Sequence, residues 1–258
     1  MTLFDTHAHY DDEAFDADRD AVLSAFDGLV IDPGCTLASS QAAVDLAARH
    51  PHVYAAVGIH PENCGDFVPE HMDALRQLAQ QPKVVAIGEI GLDYYWAENP
   101  PREFQQQVLR AQLALALALD LPVIIHDREA HGDSLAIVKE YPALRGVFHC
   151  YSGSVEMARE LLTLGWYLGF DGPVTYKNAR KTVEVAEMVP PDRILIETDS
   201  PYMSPVPLRG KRNDSRNVCY IAEKLAQIKG MTTEEMARLT MENGKRLFNL
   251  SKKGEALF

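Results

Sequence analysis

Eight short runs of apolar and β-branched residues recur along the chain, separated by longer segments in which apolar residues have helical spacing. A strand buried on both faces of a parallel sheet is such an apolar run, and parallel strands need a crossover, usually a helix. The 258 residues also match the typical length of one (β/α)8 barrel. We therefore predict a single domain, residues 1–258, that folds as a TIM-like (β/α)8 barrel with its active site at the carboxyl ends of the strands.

The apolar runs set the expected order of elements. The predicted strands are residues 3–5, 29–31, 53–57, 84–88, 122–125, 146–148, 166–170 and 193–197. The predicted helices are residues 18–26, 39–49, 69–80, 102–119, 133–140, 155–164, 179–188, 217–229 and 233–248. An open, doubly wound sheet is the alternative topology, but the glycine-rich phosphate-binding turn that follows its first strand is absent from this sequence.

Composition narrows the class of protein. The formal charge of -12 argues against a broad basic face that holds nucleic acid. It is compatible with cleavage of nucleic acid, because bound divalent cations invert the local charge where a phosphate sits. No apolar stretch approaches the roughly 20 residues that cross a bilayer, and the first residues lack a basic signal-peptide region. We expect a cytoplasmic protein with reduced cysteines, no membrane contact and no obligate protein partner.

Histidine and acidic side chains stand where the apolar runs end. His7 and His9 are two residues apart, so in an extended segment both side chains project from the same face and can reach one cation. Four further side chains each follow a different predicted strand, and the carboxyl ends of barrel strands converge. Imidazole and carboxylate groups are ligands of divalent metals. The sequence therefore predicts a metal site at this rim, with the candidate ligands His7, His9, Glu89, His126, His149 and Asp199.

These motifs together resemble the TatD-type metal-dependent deoxyribonucleases, a branch of the amidohydrolase superfamily. The likeness runs from residue 3 to about residue 248. It is carried by residues 4–9 (FDTHAH), 58–61 (GIHP), 88–94 (GEIGLDY), 125–126 (IH), 148–153 (FHCYSG), 197–201 (ETDSP) and the basic loop 209–213 (RGKRN). The chain departs from the family pattern after Asn213, where Asp214 and Ser215 replace a common Glu-Pro pair.

The resemblance implies two divalent cations, of which Mg²⁺, Mn²⁺ and Zn²⁺ are all compatible with mixed imidazole and carboxylate ligands. One ion would be held by His7, His9, Glu89 and Asp199, and the other by Glu89, His126 and His149, so that Glu89 bridges them. Asp199 and the bridging Glu89 are the candidate catalytic residues, and Asp199 is the candidate for the group that accepts a proton from the attacking water. A helix N-cap at Asp199 is the alternative interpretation of the Asp-Ser-Pro sequence.

Phosphate contacts are expected beside the metals. His60 matches a family histidine that lies near the ions but does not bind them. It either forms a hydrogen bond to a phosphate oxygen or is a capped histidine in a loop. The basic loop follows the last strand, where barrels often bind phosphate. Its candidate contacts are Arg209, Lys211, Arg212 and Asn213.

The resulting hypothesis is a hydrolase that cleaves phosphodiester bonds of DNA, with 3′–5′ exonuclease action and preference for single-stranded ends implied by the resemblance. An amide or ester hydrolase, such as a D-aminoacyl-tRNA deacylase, is the first alternative. Related barrels with such activities often bridge their metals with a carboxylated lysine, whereas Glu89 stands in that place here. A non-catalytic binding protein is the second alternative, and the complete set of candidate ligands disfavours it.

Overall fold

All eight strands of the computed structural model lie in one parallel sheet, and each strand pairs with the next one along the chain. The structure describes residues 1–250. The strands are β1 (Leu3–Asp5), β2 (Gly28–Pro33), β3 (Val53–Val57), β4 (Val84–Asp93), β5 (Val123–Arg128), β6 (Gly146–Phe148), β7 (Tyr167–Phe170) and β8 (Ile194–Ile196).

The first and last strands meet and close the sheet into a barrel. The backbone N–H of Thr6 donates to the carbonyl of Ile196 over 3.1 Å, and the N–H of Asp199 donates to the carbonyl of His7 over 2.9 Å. A parallel bridge follows one step further along both segments. The predicted barrel is therefore confirmed, and its closure places the start of the chain beside residues that are almost two hundred positions away.

Helices cover the outside of the barrel and connect its strands. The nine α-helices of the described residues are α1 (Arg19–Ser24), α2 (Leu37–Arg49), α3 (Glu70–Ala79), α4 (Arg102–Leu119), α5 (His131–Lys139), α6 (Val155–Thr163), α7 (Arg180–Met188), α8 (Val218–Lys229) and α9 (Thr233–Leu247). Each starts and ends within two residues of its predicted position. None of these helices is both long and apolar enough to span a membrane.

The barrel interior is a separate apolar cluster, distinct from the larger one between sheet and helices. Its members include Phe4 and Ile31 from neighbouring strands, and Leu247 and Phe248 at the end of α9 pack against them. Gly244 lets α9 approach β1, because a Cβ at this position would collide with the Phe4 ring. The interior is thus filled with side chains, and the opposite rim is left for polar groups.

Strands β4 and β5 are longer than predicted. Their pairing continues past a register shift to Asp93, opposite Arg128. Gly91 makes this possible, because its φ of 153° is disfavoured for other residues and a Cβ there would collide with the carbonyl of His126. Glu89 therefore lies within a strand, where the sequence predicted the end of one.

Candidate metal centre

The six predicted ligands come together at the carboxyl rim of the barrel. His7 and His9 extend from β1, and their Nε2 atoms lie 3.1 Å apart. Glu89 Oε2 lies 3.3 Å from Nε2 of His7 and 3.5 Å from Nε2 of His9. Asp199 Oδ1 lies 3.7 Å and 3.5 Å from the same two nitrogens. Two imidazole nitrogens and two carboxylate oxygens thus converge, which forms the first ligand group.

The other carboxylate oxygen of Glu89 faces a second ligand group. Oε1 lies 2.9 Å from Nδ1 of His126 and 2.8 Å from Nε2 of His149. These two nitrogens are 3.4 Å apart. The rings of His7 and His149, one from each group, stack with their centroids 3.9 Å apart. Glu89, which is buried, therefore stands between two sets of imidazoles with one oxygen directed to each.

The spacing of these atoms fits a divalent metal. Ligand atoms held about 2.1 Å from a tetrahedral ion lie about 3.4 Å from one another. The nitrogen and oxygen atoms of the first group are separated by 3.1 to 3.7 Å, close to that value. Two ionised carboxylates in a buried site need positive charge beside them, which a cation in this ligand group would supply.

Two of the four ligand imidazoles, those of His9 and His126, have a partner on the side that faces away from the ligand groups, whereas Nδ1 of His7 has none. Nδ1 of His9 lies 3.2 Å from the carbonyl of Pro33, and Nε2 of His126 lies 3.1 Å from Oδ2 of Asp93. Nδ1 of His149 lies 3.6 Å from Oε1 of Glu197, too far for a hydrogen bond. Such partners fix the tautomer and the ring orientation of metal-binding histidines. His9 and His126 thus have the outer support that is typical of metal-binding histidines.

The electrostatic environment keeps the carboxylates ionised. Burial alone would raise the pKa of Glu89, but His149, His60 and His7 hold it well below its usual value. Burial also favours the protonated form of Asp199, yet the hydrogen bond with His9 holds the pKa of Asp199 below its usual value. Both groups therefore present negative charge to a cation at neutral pH.

His60 lies beside the second ligand group, with its Nε2 3.5 Å from Oε1 of Glu89. Its Nδ1 accepts a hydrogen bond from the N–H of Glu62 over 3.3 Å. Burial lowers the pKa of His60 to about 4, so the ring is neutral at pH 7. A neutral ring that accepts at Nδ1 carries its proton on Nε2, which makes this atom a hydrogen-bond donor.

The basic loop 209–213 divides into two parts. Arg212 makes a two-pronged salt bridge with Asp18, and Asn213 is buried with its amide nitrogen donating to the carbonyls of Thr198 and Tyr202. These two side chains therefore hold the loop in place. Arg209 stacks on Tyr176, with its guanidinium 4.1 Å from the ring centroid. Lys211 is exposed.

Asp199 does not begin a helix. Within residues 1–250, the next helical segment is the 3-10 turn Ser215–Asn217. Asp199 instead has φ of 54°, a left-handed conformation that is rare for residues other than glycine. Such strain is concentrated at functional sites, where the surrounding structure maintains it. The N-cap alternative is therefore not supported by the structure.

Sequence reasoning assigned no role to Asp93 or Glu197, although both belong to motifs that it singled out. Asp93 lies four residues after Glu89 in β4, and residues at even spacing in a strand share a face. That alternation would have placed Asp93 beside the site, had the strand been predicted at its full length. Glu197 is buried and accepts hydrogen bonds from the backbone N–H of Cys150 and from Thr6 Oγ1.

A protein-family model described as TatD related DNase matches residues 4–249. The chain belongs to this family. It is 43% identical to the uncharacterized metal-dependent hydrolase YabD of Bacillus subtilis, across 96% of this chain and 100% of that protein. It is 34% identical to the 3′-5′ ssDNA/RNA exonuclease TatD of Erwinia tasmaniensis, across 96% of this chain and 100% of that protein.

The solved structure of a TatD homolog has the same architecture. The crystal structure of the TatD homolog YjjV from Escherichia coli superimposes with a TM-score of 0.90 at 33% identity, and covers 96% of this chain and 98% of that one. The resemblance inferred from the motifs is therefore confirmed. This TatD family protein is a metal-dependent hydrolase.

Proposed function

We propose that this hydrolase removes nucleotides from the ends of single-stranded DNA, with 3′–5′ polarity and with two divalent ions in the two ligand groups. The observation that carries the proposal is the position of Glu89, whose two oxygens each face a separate group of imidazoles. When bound, two divalent ions acidify water and offset the charge of a phosphodiester. Mn²⁺, Zn²⁺ and Mg²⁺ are compatible with these ligands.

Asp199 is the proposed proton acceptor in hydrolysis. Its side chain is 14% exposed, against 3% for Glu89, so water reaches Asp199 more readily. Its low pKa keeps it ionised and able to receive the proton that the attacking water loses. Glu89 instead has both oxygens occupied by imidazoles, which suits a positioning role.

We assign phosphate binding to a hydrogen-bond donor beside the second ligand group and to two basic side chains of the loop 209–213 that form no salt bridge within residues 1–250. The Nε2–H of His60 points towards the second ligand group and would donate to a phosphate oxygen there. Arg209 and Lys211 would add positive charge from the loop after β8. Arg212 and Asn213, which we expected to contact phosphate, are assigned the role of holding this loop, because their polar groups are engaged by protein partners.

The TatD exonuclease relative supports nucleic acid as the substrate, since its name specifies single-stranded DNA and RNA. The four cysteines are unpaired, which is compatible with action in a reducing compartment such as the cytoplasm.

End-labelled single-stranded DNA, incubated with Mg²⁺, Mn²⁺ or Zn²⁺, tests this function. We expect stepwise shortening from the 3′ end by the wild type, and a loss of about 100-fold or more in kcat for Asp199→Asn. Asp192→Asn is the matched control, because Asp192 is exposed and precedes β8 at the opposite rim.

Intact DNA with the wild type under every metal would refute the nuclease function. Equal turnover by the wild type and Asp199→Asn would refute the role of Asp199. A parallel panel of RNA and aminoacyl-ester substrates would show whether a different bond is cleaved.

A further inference from the structure

Two large aromatic side chains are exposed in the segment that follows Asp93, whose carboxylate contacts His126. Tyr95 and Trp96 lie two and three residues after the end of β4, and 52% and 43% of their surfaces are accessible. Their rings meet edge to face with the centroids 4.7 Å apart. Exposed large apolar groups beside an active site are typical of a binding surface, because burial would otherwise be favoured.

Arg128, the last residue of β5, holds these rings in place. Its guanidinium carbon lies 3.9 Å from the centroid of Tyr95 and 5.2 Å from that of Trp96. A guanidinium packed on aromatic rings is attracted to their π-systems. The rings are thus ordered without being covered, which lowers the entropy cost of binding a flat ligand to them. We call Tyr95, Trp96 and Arg128 the aromatic platform.

The aromatic platform is attached to the second ligand group through one carboxylate. Oδ1 of Asp93 accepts a hydrogen bond from the N–H of Tyr95 over 2.9 Å, while Oδ2 lies 3.1 Å from Nε2 of His126. The N–H of Tyr94 also donates to the carbonyl of Arg128 over 2.9 Å. The backbone of Tyr95 and the imidazole of His126 therefore contact the same carboxylate, which connects the two groups of residues.

We propose that the aromatic platform is a stacking site for the unpaired nucleobase adjacent to the phosphodiester at the metal centre. This inference rests on the proposed nuclease function and deepens it. Aromatic rings stack on any base, because every base has a π-face. A base inside a duplex has both faces covered by its neighbours. The platform would therefore select frayed or single-stranded ends, and Arg128 would bring positive charge to the strand in an acidic protein.

A binding measurement tests the stacking site without turnover. The probe is single-stranded DNA with 2-aminopurine at the 3′ end and phosphorothioate terminal linkages, which resist cleavage. We expect the wild type to quench the 2-aminopurine, and the double variant Tyr95→Ala/Trp96→Ala to bind about tenfold more weakly with little quenching. Leu117→Ala is the matched control, because Leu117 is an exposed apolar residue on α4, and it should behave as the wild type.

A cleavage measurement tests the same contact from the substrate side. Removal of the terminal base, by use of an abasic 3′ nucleotide, should raise the KM of the wild type about tenfold and that of the double variant hardly at all. Each change removes the same stacking contact, so the two effects should not add. Circular dichroism and thermal melts would verify that both proteins are folded.

Each failure has a distinct outcome. Equal quenching by the wild type and the double variant, or equal KM penalties for base removal, would overturn the stacking site and leave the nuclease function intact. The rings would then serve only to pack the loop. Absence of cleavage by the wild type would refute the nuclease function, and the quenching measurement would still decide whether a base stacks on the platform.

Discussion

Oδ2 of Asp93 lies 3.1 Å from Nε2 of His126, and the other ring nitrogen of His126 faces Glu89. A hydrogen bond from Nε2–H to the carboxylate leaves the lone pair of Nδ1 for a metal and makes that nitrogen more basic. The same carboxylate accepts a hydrogen bond from the backbone N–H of Tyr95, the first residue of the aromatic platform. Asp93 thus connects the imidazole of His126 to the segment that carries Tyr95.

Replacement of Asp93 should weaken metal binding. Asp93→Ala is expected to lower the affinity for Mn²⁺ or Zn²⁺ about 10- to 100-fold, because His126 would lose its orienting partner. Asp93→Asn should have a smaller effect, since it retains a hydrogen-bond acceptor. Competition with a chromophoric chelator measures the affinities. Asp133→Asn is the control, because Asp133 accepts a hydrogen bond from the neighbouring Tyr94 hydroxyl. This variant should bind metal as the wild type does. An unchanged affinity in Asp93→Ala would contradict the positioning role.

Metal binding should release protons and strengthen as the pH rises. Burial alone would favour neutral His126, but the hydrogen bonds with Asp93 and Glu89 raise the pKa of His126 to about 9. At pH 7 a cation must therefore displace a proton, and this competition disappears as the pH passes about 9. Calorimetry in buffers of different ionisation enthalpy should reveal about one released proton or more per site. A binding enthalpy that is independent of the buffer would argue against the assignment.

Removal of metal should lower thermal stability. A ligand that binds only the folded state, present at a hundredfold excess over Kd, stabilises it by about 2.7 kcal/mol. For a chain of this size we expect Tm to fall by about 5 to 10 °C with EDTA. Glu89→Gln should reduce this difference, because Glu89 contacts both ligand groups. Glu103→Gln, at an exposed position of α4, should preserve it. Identical melting curves with and without EDTA would count against a metal centre.

Lys83 should contribute to stability by capping the end of α2. Its ammonium group donates to the carbonyls of Ala47, His50 and Pro51 over 2.6 to 3.0 Å. Lys83→Met keeps the apolar stem but leaves these acceptors without their donor, which should cost about 1–3 kcal/mol. Urea denaturation measures the loss, and Lys177→Met, at an exposed site, should be nearly neutral. A neutral Lys83→Met variant would show that water replaces the lost donor.

Substitution of Gly244 and of Gly132 by alanine should have different effects on stability. Gly244→Ala would place a Cβ against the Phe4 ring and should destabilise the barrel by about 1–3 kcal/mol. Gly132→Ala, in α5, has no atom within 4 Å of the added Cβ and should be neutral or stabilise by up to about 1 kcal/mol. Thermal melts of both variants test the prediction. Equal effects would mean that α9 moves away from β1 without cost.

The apolar pattern was sufficient to predict the helices and the barrel, because strand burial and helical amphipathicity are local properties of the sequence. The lengths of β4 and β5 were predicted less well. Their extension depends on pairing beyond Gly91, and a polar residue such as Asp93 does not look like part of a buried strand until its partner strand is known. The role of Asp93 was missed for the same reason.

The sequence alone determined the repeated strand and helix pattern, the family, and the set of imidazoles and carboxylates available for metal binding. Only the tertiary structure decided which oxygen of Glu89 faces which histidines, and that Arg212 and Asn213 are held by protein groups. It also decided that Arg128 lies on Tyr95 and Trp96. The physical reason is that ligand chemistry belongs to each residue, whereas direction and distance arise only when barrel closure brings remote segments together.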